Sequence, residues 1–452
     1  MFGWFQPRCP IDVREKVWTE QRMQWLIQHF GLDELLKTDV ILPTAEYFPE
    51  PFQESDCDAR VVLDRVCRYM GVDPKTIDLT VYSDEEAPGT AGLYGKKGTR
   101  TTIRVADSQL GNLESLIATL AHETAHVLLH GQNLLSDQVD DHELVTDLLT
   151  VYKGIGVFAA NTAVKQRNDH AGGWEWWTIN RYGYLSARVY GYAFALFAWI
   201  RNETTPPWSG FLAPDASAAF TSGLKYLSKT SDCLLDRDEV DRVSKPRPIS
   251  TLISDLNNQS DSVRVAALWE LRKLSTDKAL AIDSVRQCLH HANSIVRCEA
   301  AETIGNIGTS AESVVTELMS QLYSDDGEIR ASFVAAVGQL RPSVHFRGPD
   351  GASVLEQFQM LLDDTSPNVV LATAGALRNY GSDVEDAAPA LLRSLTRAVI
   401  HCDYANADWL ARSLAEIVSD LDAFLNEELT NRDEELRRQI IDAVNQVKVN
   451  YG

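Results

Sequence analysis

Past residue 248 the sequence repeats itself, and a repeat leaves few folds open. The segments DSVRVAALWELRKL, NSIVRCEAAETIGNI and GEIRASFVAAVGQL align with one another, and their arginines, Arg264, Arg297 and Arg330, are spaced by thirty-three residues. PNVVLATAGALRNYG is a fourth copy, delayed by the insertion RPSVHFRGPDGA, and degenerate copies lie around WLARSLAEIVSDL and ELRRQIIDAVNQV. Apolar residues recur at helical spacing in each copy. An earlier helix, such as ISTLISDL or VVTELMSQL, precedes it across a short polar turn. A helix pair of this length cannot bury its apolar stripe alone, so the pairs must stack on their neighbours into a solenoid.

The D/N-x-V-R start, the small residues Ala266, Ala267, Ala300, Ala301, Ala335 and Ala336, and the closing Leu or Ile resemble HEAT repeats. The resemblance covers roughly residues 249 to 452, as about six helical hairpins. It implies an all-α solenoid whose concave face binds a protein partner. Residues 249–452 carry 17 basic against 30 acidic side chains, so basic segments are the favoured ligands. The plainer use of such an array is to brace the other half of the chain or to form an oligomer.

The second constraining feature is His122-Glu123-Thr124-Ala125-His126, within SLIATLAHETAHVLLHGQ. Leu116, Leu120, Val127 and Leu128 form an apolar stripe, and no Pro or Gly interrupts the helical pattern before Gly131. Residues i and i+4 lie one turn apart on one face, so both imidazoles can reach one metal ion. Glu123 is placed to act on a water at that ion. Zinc lowers the pKa of such a water to about 7, and a carboxylate can take its proton as the water attacks a carbonyl. A packing role explains two such histidines less well, because structural histidines usually stand singly.

Two histidines leave a tetrahedral zinc one protein ligand short. DDHELVTDLLTVY, downstream, offers Glu143, with Asp147 one turn on as a hydrogen-bonding partner for a ligating imidazole. HExxH followed by ExxxD resembles the gluzincin metallopeptidases, the thermolysin-like branch of the zincins, over roughly residues 75 to 200. The resemblance implies His122, His126 and Glu143 as Zn2+ ligands, Glu123 as general base and Asp147 in support. The sixteen residues between His126 and Glu143 are fewer than is usual in that group, which keeps His142, Asp140, Asp141 and His170 as competitors for the third position. His130 follows His126 by four residues without the Gly of a metzincin, and reads as a helix C-terminal His before a terminating Gly131. The phrase AHETAHVLLHG is also similar to the IrrE/ImmA-type peptidases, which cleave a repressor protein, over little more than the motif helix.

Composition narrows the rest. The 452 residues carry a net charge of −22, which argues against nucleic acid or an anionic membrane as main partner. Seven scattered cysteines, none in a CxxC, fit a reduced, cytoplasmic setting, and neither a signal peptide nor a membrane span is expected. The expected organisation is an α+β zincin-like metallopeptidase domain over residues 1–235, mostly helical with a small sheet and the active-site helix. Its N-terminal helical part covers about residues 1–40, a linker spans 236–248, and the all-α HEAT-repeat solenoid spans 249–452.

Within the first domain, VREKVWTEQRMQWLIQHFG reads as an amphipathic helix, with His29 structural and Trp18 and Trp25 packing behind it. CDARVVLDRVCRYMGV reads as a second helix broken at Asp73-Pro74. ILPTAEYFPEPF is irregular and either lines a cleft or, the preferred reading, covers the core. IDLTVYSD reads as a strand, and AGLYG and TRTTIRVAD as a strand pair about a turn Gly95-Lys96-Lys97-Gly98. Thr101 to Ala106 is the candidate edge strand for an extended peptide substrate, against an ordinary sheet strand. LLTVYKGIGVFAANTA is expected as one helical stretch, and NRYGYLSARVYGYAFALFAWIRNE as a long buried helix. His170-Ala171-Gly172-Gly173 and WEWW between them suggest a flexible loop at the cleft. Tyr182, Tyr184, Tyr190 or His170 could stabilise an oxyanion, with Tyr184 preferred as a catalytic residue.

Three functions are weighed. One is a zinc metallopeptidase whose protein or peptide substrate, or regulator, is recruited by HEAT repeats. Another is a non-catalytic HEAT-repeat scaffold with a structural or vestigial zinc, against which the retained Glu123 argues. The last is hydrolysis of a small peptide or amide, which would need no solenoid.

Overall fold

In the computed structural model, residues 7–87, 90–97, 100–136, 138–169, 185–241 and 246–451 are described. The chain divides into two compact units, residues 1–245 and 246–452. Of the described residues of the expected linker, Val240 alone is buried. No helix among the described residues is long and apolar enough to cross a membrane.

The first unit opens with α1 (Val13–Phe30), started by a capping box in which Asp12 accepts from the Glu15 amide and Glu15 from the Asp12 amide. Its inward face carries charge as well as apolar residues. Lys16 and Glu20, both buried, pair at 3.1 Å, and Tyr192 donates to Glu20 Oε1 at 2.6 Å. A short α2 (Leu32–Lys37) follows, then α3 (Asp56–Met70), which ends on Gly71 in the left-handed region. The irregular stretch between them covers the core as expected: Phe48 is buried edge-on against Tyr69 and Phe158.

Three strands follow: β1 (Ile77–Tyr82), β2 (Gly92–Lys97) and β3 (Arg100–Ala106). Their order is β1-β3-β2, with β1 parallel to β3 from Ile77↔Thr101 to Tyr82↔Ala106, and β2 antiparallel to β3 from Gly92↔Val105 to Lys97↔Arg100. Two expectations change. Thr101–Ala106 is the central strand, its backbone paired on both sides, so it is not the expected edge strand. Gly95, Lys96 and Lys97 belong to β2 itself, and Gly98 lies outside the described residues.

The helix α4 (Leu113–Gly131) is the axis of the unit, capped by the Asn112 side chain on the Ser115 amide. It packs against α3, β2 and β3, and also against α5 (His142–Tyr152) and α6 (Val157–Asp169). The expected single helical stretch 148–163 is broken between α5 and α6 because Gly154 takes φ +75° with its amide on Val151 O. A Cβ there would meet the Asp39 carbonyl oxygen at 2.2 Å. The expected long helix is observed as α7 (Ala187–Ile200), buried nearly all round and paired with α8 (Pro214–Lys229).

Among its described residues, the second unit holds six consecutive helix pairs. They are α9 (Ile249–Asp255) with α10 (Asp261–Lys273), α11 (Ile282–Cys288) with α12 (Ser294–Ile307), and α13 (Val315–Ser320) with α14 (Gly327–Leu340). Then come α15 (Val354–Leu361) with α16 (Pro367–Arg378), α17 (Ala388–Ile400) with α18 (Tyr404–Ile417), and α19 (Leu421–Glu428) with α20 (Glu434–Tyr451). The second helices of successive hairpins stack on one another in order. The repeated arginine has a physical job. Arg264 donates to Leu256 O, Arg297 to His291 O and Arg330 to Ser324 O. Each reaches a carbonyl in the turn that joins the two helices of its hairpin, one to four residues past the first helix. Between hairpins, buried Glu299 accepts from Trp269 Nε1 at 2.7 Å and pairs with Arg272.

Candidate metal centre

The site is assembled by two helices. His122 and His126 stand one turn apart on α4, both buried, and α5 brings Glu143 up to them from its first turn. Three donor atoms converge. His122 Nε2 lies 3.1 Å from His126 Nε2 and 2.9 Å from Glu143 Oε2, and His126 Nε2 lies 3.3 Å from that same oxygen. Zinc bonds of about 2.0–2.1 Å in a tetrahedron give ligand–ligand edges of about 3.3 Å. The donor triangle is therefore of the right size, with two imidazole nitrogens and a carboxylate oxygen, a donor set that suits zinc. Among the described residues, these three form the group of metal-binding type.

Support behind the donors is specific. Asp147, one turn after Glu143, accepts from His122 Nδ1 at 2.8 Å, and its other oxygen takes the Leu185 amide at 2.8 Å. With Nδ1 carrying the proton, His122 turns Nε2 toward the donor triangle. The start of α5 is held in turn by Asp141. Its carboxylate takes two hydrogen bonds from the Arg22 guanidinium, at 2.6 and 2.7 Å, and one from Trp18 Nε1 at 2.7 Å. Asp141 is thus engaged by α1 and lies outside the converging group. Of the other competitors, Asp140 is exposed, and His142 gives Nδ1 to Val139 O while its Nε2 lies 3.0 Å from Glu143 Oε1. His170, Tyr182, Tyr184, the glycines 172 and 173 and the WEWW segment lie outside the described residues. Tyr190 is buried on α7.

Electrostatics follow from burial and from the shared carboxylates. Burial alone would lower the His122 pKa, but its hydrogen bonds to Asp147 and Glu143 outweigh this and hold it well above the usual histidine range. Burial would raise Glu143, and the two histidines outweigh it, holding its carboxyl below the usual range. Desolvation takes His126 down to about 4, so it is neutral near pH 7. Glu123, beside the triangle and buried, is pushed up to about 7 by desolvation. The edge strand β2 touches this residue directly: a Cβ placed on Gly92 would fall 2.6 Å from Glu123 Oε1.

Two residues of this centre carry roles the sequence did not disclose. Tyr94, on β2, lies with its ring against His126 and His130, at centroid distances of 5.8 and 5.4 Å. No sequence signal links it to the motif. His130 sits 3.3 Å from His126 Nδ1, inside the centre rather than serving only the helix end. The recurrence of His at 122, 126 and 130, all on one helical face, was its available signal.

Comparison with known proteins reaches the other unit. Residues 249–338 match the family of HEAT repeats. The match spans the first three hairpins, and the helical-hairpin pattern continues beyond it to α20. No curated protein matches the chain. Among solved structures, a designed armadillo-repeat protein is 16% identical, with TM-score 0.30, covering 44% of this chain and 100% of its own. One engineered protein is 20% identical, with TM-score 0.29, covering 44% of this chain and 96% of its own. Another is 14% identical, with TM-score 0.30, covering 97% of this chain and 99% of its own. HEAT repeats present extended surfaces of the kind that bind proteins.

Proposed function

We propose that the first unit is a zinc-dependent metallopeptidase and that the HEAT repeats recruit its protein substrate or a regulator. The observation that carries this reading is the convergence of His122 Nε2, His126 Nε2 and Glu143 Oε2 within about one tetrahedral edge of one another. His122, His126 and Glu143 would hold the zinc. When bound, zinc supplies Lewis acidity and a water acidic enough to lose a proton near neutral pH. Glu123 accepts that proton on its carboxylate and returns it to the leaving amine of the cleaved bond. Asp147 keeps the His122 ring in register, and Arg22 and Trp18 hold the start of α5 through Asp141. The edge of β2 that has no strand partner among the described residues would offer main-chain groups to an extended peptide, beside Glu123 at Gly92. Tyr184 remains the proposed oxyanion donor.

A second reading, favoured by the family match, makes the chain a HEAT-repeat interaction scaffold whose zinc site is structural or vestigial. The two readings part at Glu123. The full-length Glu123→Gln chain, loaded with zinc, should retain a bound protein substrate that the parent chain cleaves. Capture of the same intact protein by both, with no cleavage by the parent, would move the function to the scaffold.

A further inference from the structure

We propose that His130 is a positioning residue that locks His126 into the tautomer whose Nε2 is free to take a metal; this rests on the metallopeptidase reading above. The relay begins at the end of α4. The helix runs through Gly131, and the chain then reverses at Asn133, which takes φ +53°. The Leu134 amide bonds back to Leu129 O at 2.9 Å and the Asn133 amide to His130 O at 3.1 Å. This reversal brings the Leu135 carbonyl oxygen to 2.9 Å from His130 Nδ1. A carbonyl oxygen can only accept, so Nδ1 of His130 carries the proton, and Nε2 of the neutral ring holds a lone pair.

That lone pair faces His126 Nδ1 at 3.3 Å, with the two ring planes 10° from parallel. It accepts the proton of His126 Nδ1–H, and Nε2 of His126 is left bare toward His122 and Glu143. The relay runs from Leu135 C=O through His130 and His126 to the donor triangle. It parallels the route by which Asp147 fixes His122, with a neutral imidazole in place of a carboxylate. Thr146 Oγ1 is a longer acceptor at 3.4 Å from His126 Nδ1, its own proton given to His142 O at 2.8 Å. Tyr94 packs against both rings of the relay and limits their tilt. Partners of this kind typically change metal affinity by about 10–100-fold when removed.

The test uses the full chain and two variants. His130→Phe keeps a ring against Tyr94 but has neither donor nor acceptor, and His130→Gln can donate to Leu135 O and accept from His126. Zinc affinity is read by competition with a chromophoric chelator. The tautomer of His126 is read in the zinc-free chain by long-range 1H–15N correlation with labelled histidine. The expected result is a loss of about 10–100-fold in zinc affinity for His130→Phe, within about threefold of the parent for His130→Gln. With it goes an Nδ1–H His126 in the parent and a mixed tautomer in the Phe variant. Undiminished affinity and an unchanged tautomer in His130→Phe would overturn the proposal while leaving the metal centre standing. If the parent itself binds no zinc, the metallopeptidase reading fails. The relay then stands or falls on the tautomer, upheld by an Nδ1–H state lost in His130→Phe and overturned by one that persists. Should His130→Phe fail to fold, His130→Ala takes its place in both measurements.

Discussion

Gly92→Ala puts the relation between the edge strand and Glu123 to a quantitative test. The added Cβ would lie 2.6 Å from Glu123 Oε1, 2.7 Å from Thr119 Cγ2 and 3.0 Å from Glu123 Cγ. Optimal contacts between non-bonded heavy atoms lie at about 3.5–4.0 Å, so two side chains must each give by close to 1 Å. Both stand on α4, where Glu123 is buried, and overpacking of this kind costs about 1–3 kcal/mol. For a unit of this size that is a fall in melting temperature of about 4–8 °C at the midpoint of the range. Gly95→Ala on the same strand is the control, because its nearest atom, Thr102 O, is 3.9 Å away. In a Glu123→Ala background the clash with the carboxylate disappears and only Thr119 remains, so the cost of Gly92→Ala should drop by about half, a coupling of about 1 kcal/mol. Calorimetry of the full chain and its four variants gives the answer. A Gly92→Ala cost below about 0.5 kcal/mol, or one unchanged without the Glu123 side chain, would refute the placement of Glu123 against β2.

Asp147→Ala should weaken zinc binding by about 10–100-fold, measured by chelator competition, because His122 loses the acceptor that fixes its ring. Zinc affinity should also depend on pH with a definite sign. His122 is held above its usual range in the metal-free site, so near pH 7 it must give up a proton to bind, and affinity should rise with pH and fall on acidification. Calorimetric titrations in buffers of different ionisation enthalpy should show proton release on binding; no release, or uptake, would contradict the site's charge state. In the second unit, Gly338→Ala should destabilise the stack between α14 and α16 by about 1–3 kcal/mol, seen in denaturant unfolding, because a Cβ there meets Ala376 Cβ at 2.4 Å and Cα at 2.6 Å.

Much of this arrangement follows from local rules. The 3.6-residue period placed both motif histidines on one helical face and drew the hairpins of the second unit, since each of those features depends on neighbours close in sequence. The separation of Glu143 and Asp147 by one turn was legible for the same reason, and α5 does bring Glu143 to both histidines. What local pattern could not supply was partnership at a distance. Alternation marked Thr101–Ala106 as a strand, but nothing in it says that β1 and β2 occupy both of its edges. His130 satisfied a local rule for helix ends, while its contact with Leu135 O depends on the reversal at Asn133. The apolar run after Glu143 concealed the break at Gly154, which arises because the Asp39 carbonyl packs where a side chain would sit. The use of Asp141 by Arg22 and Trp18, more than a hundred residues away, was equally beyond reach of a local pattern.

Metal content of the purified full chain, measured together with Glu143→Ala and Glu123→Gln, tests the central claim most directly. The account predicts one zinc per chain, kept in Glu123→Gln because that residue is not a ligand, and lost or greatly weakened in Glu143→Ala. No binding by the parent even with zinc added, or full occupancy untouched by Glu143→Ala, would contradict it.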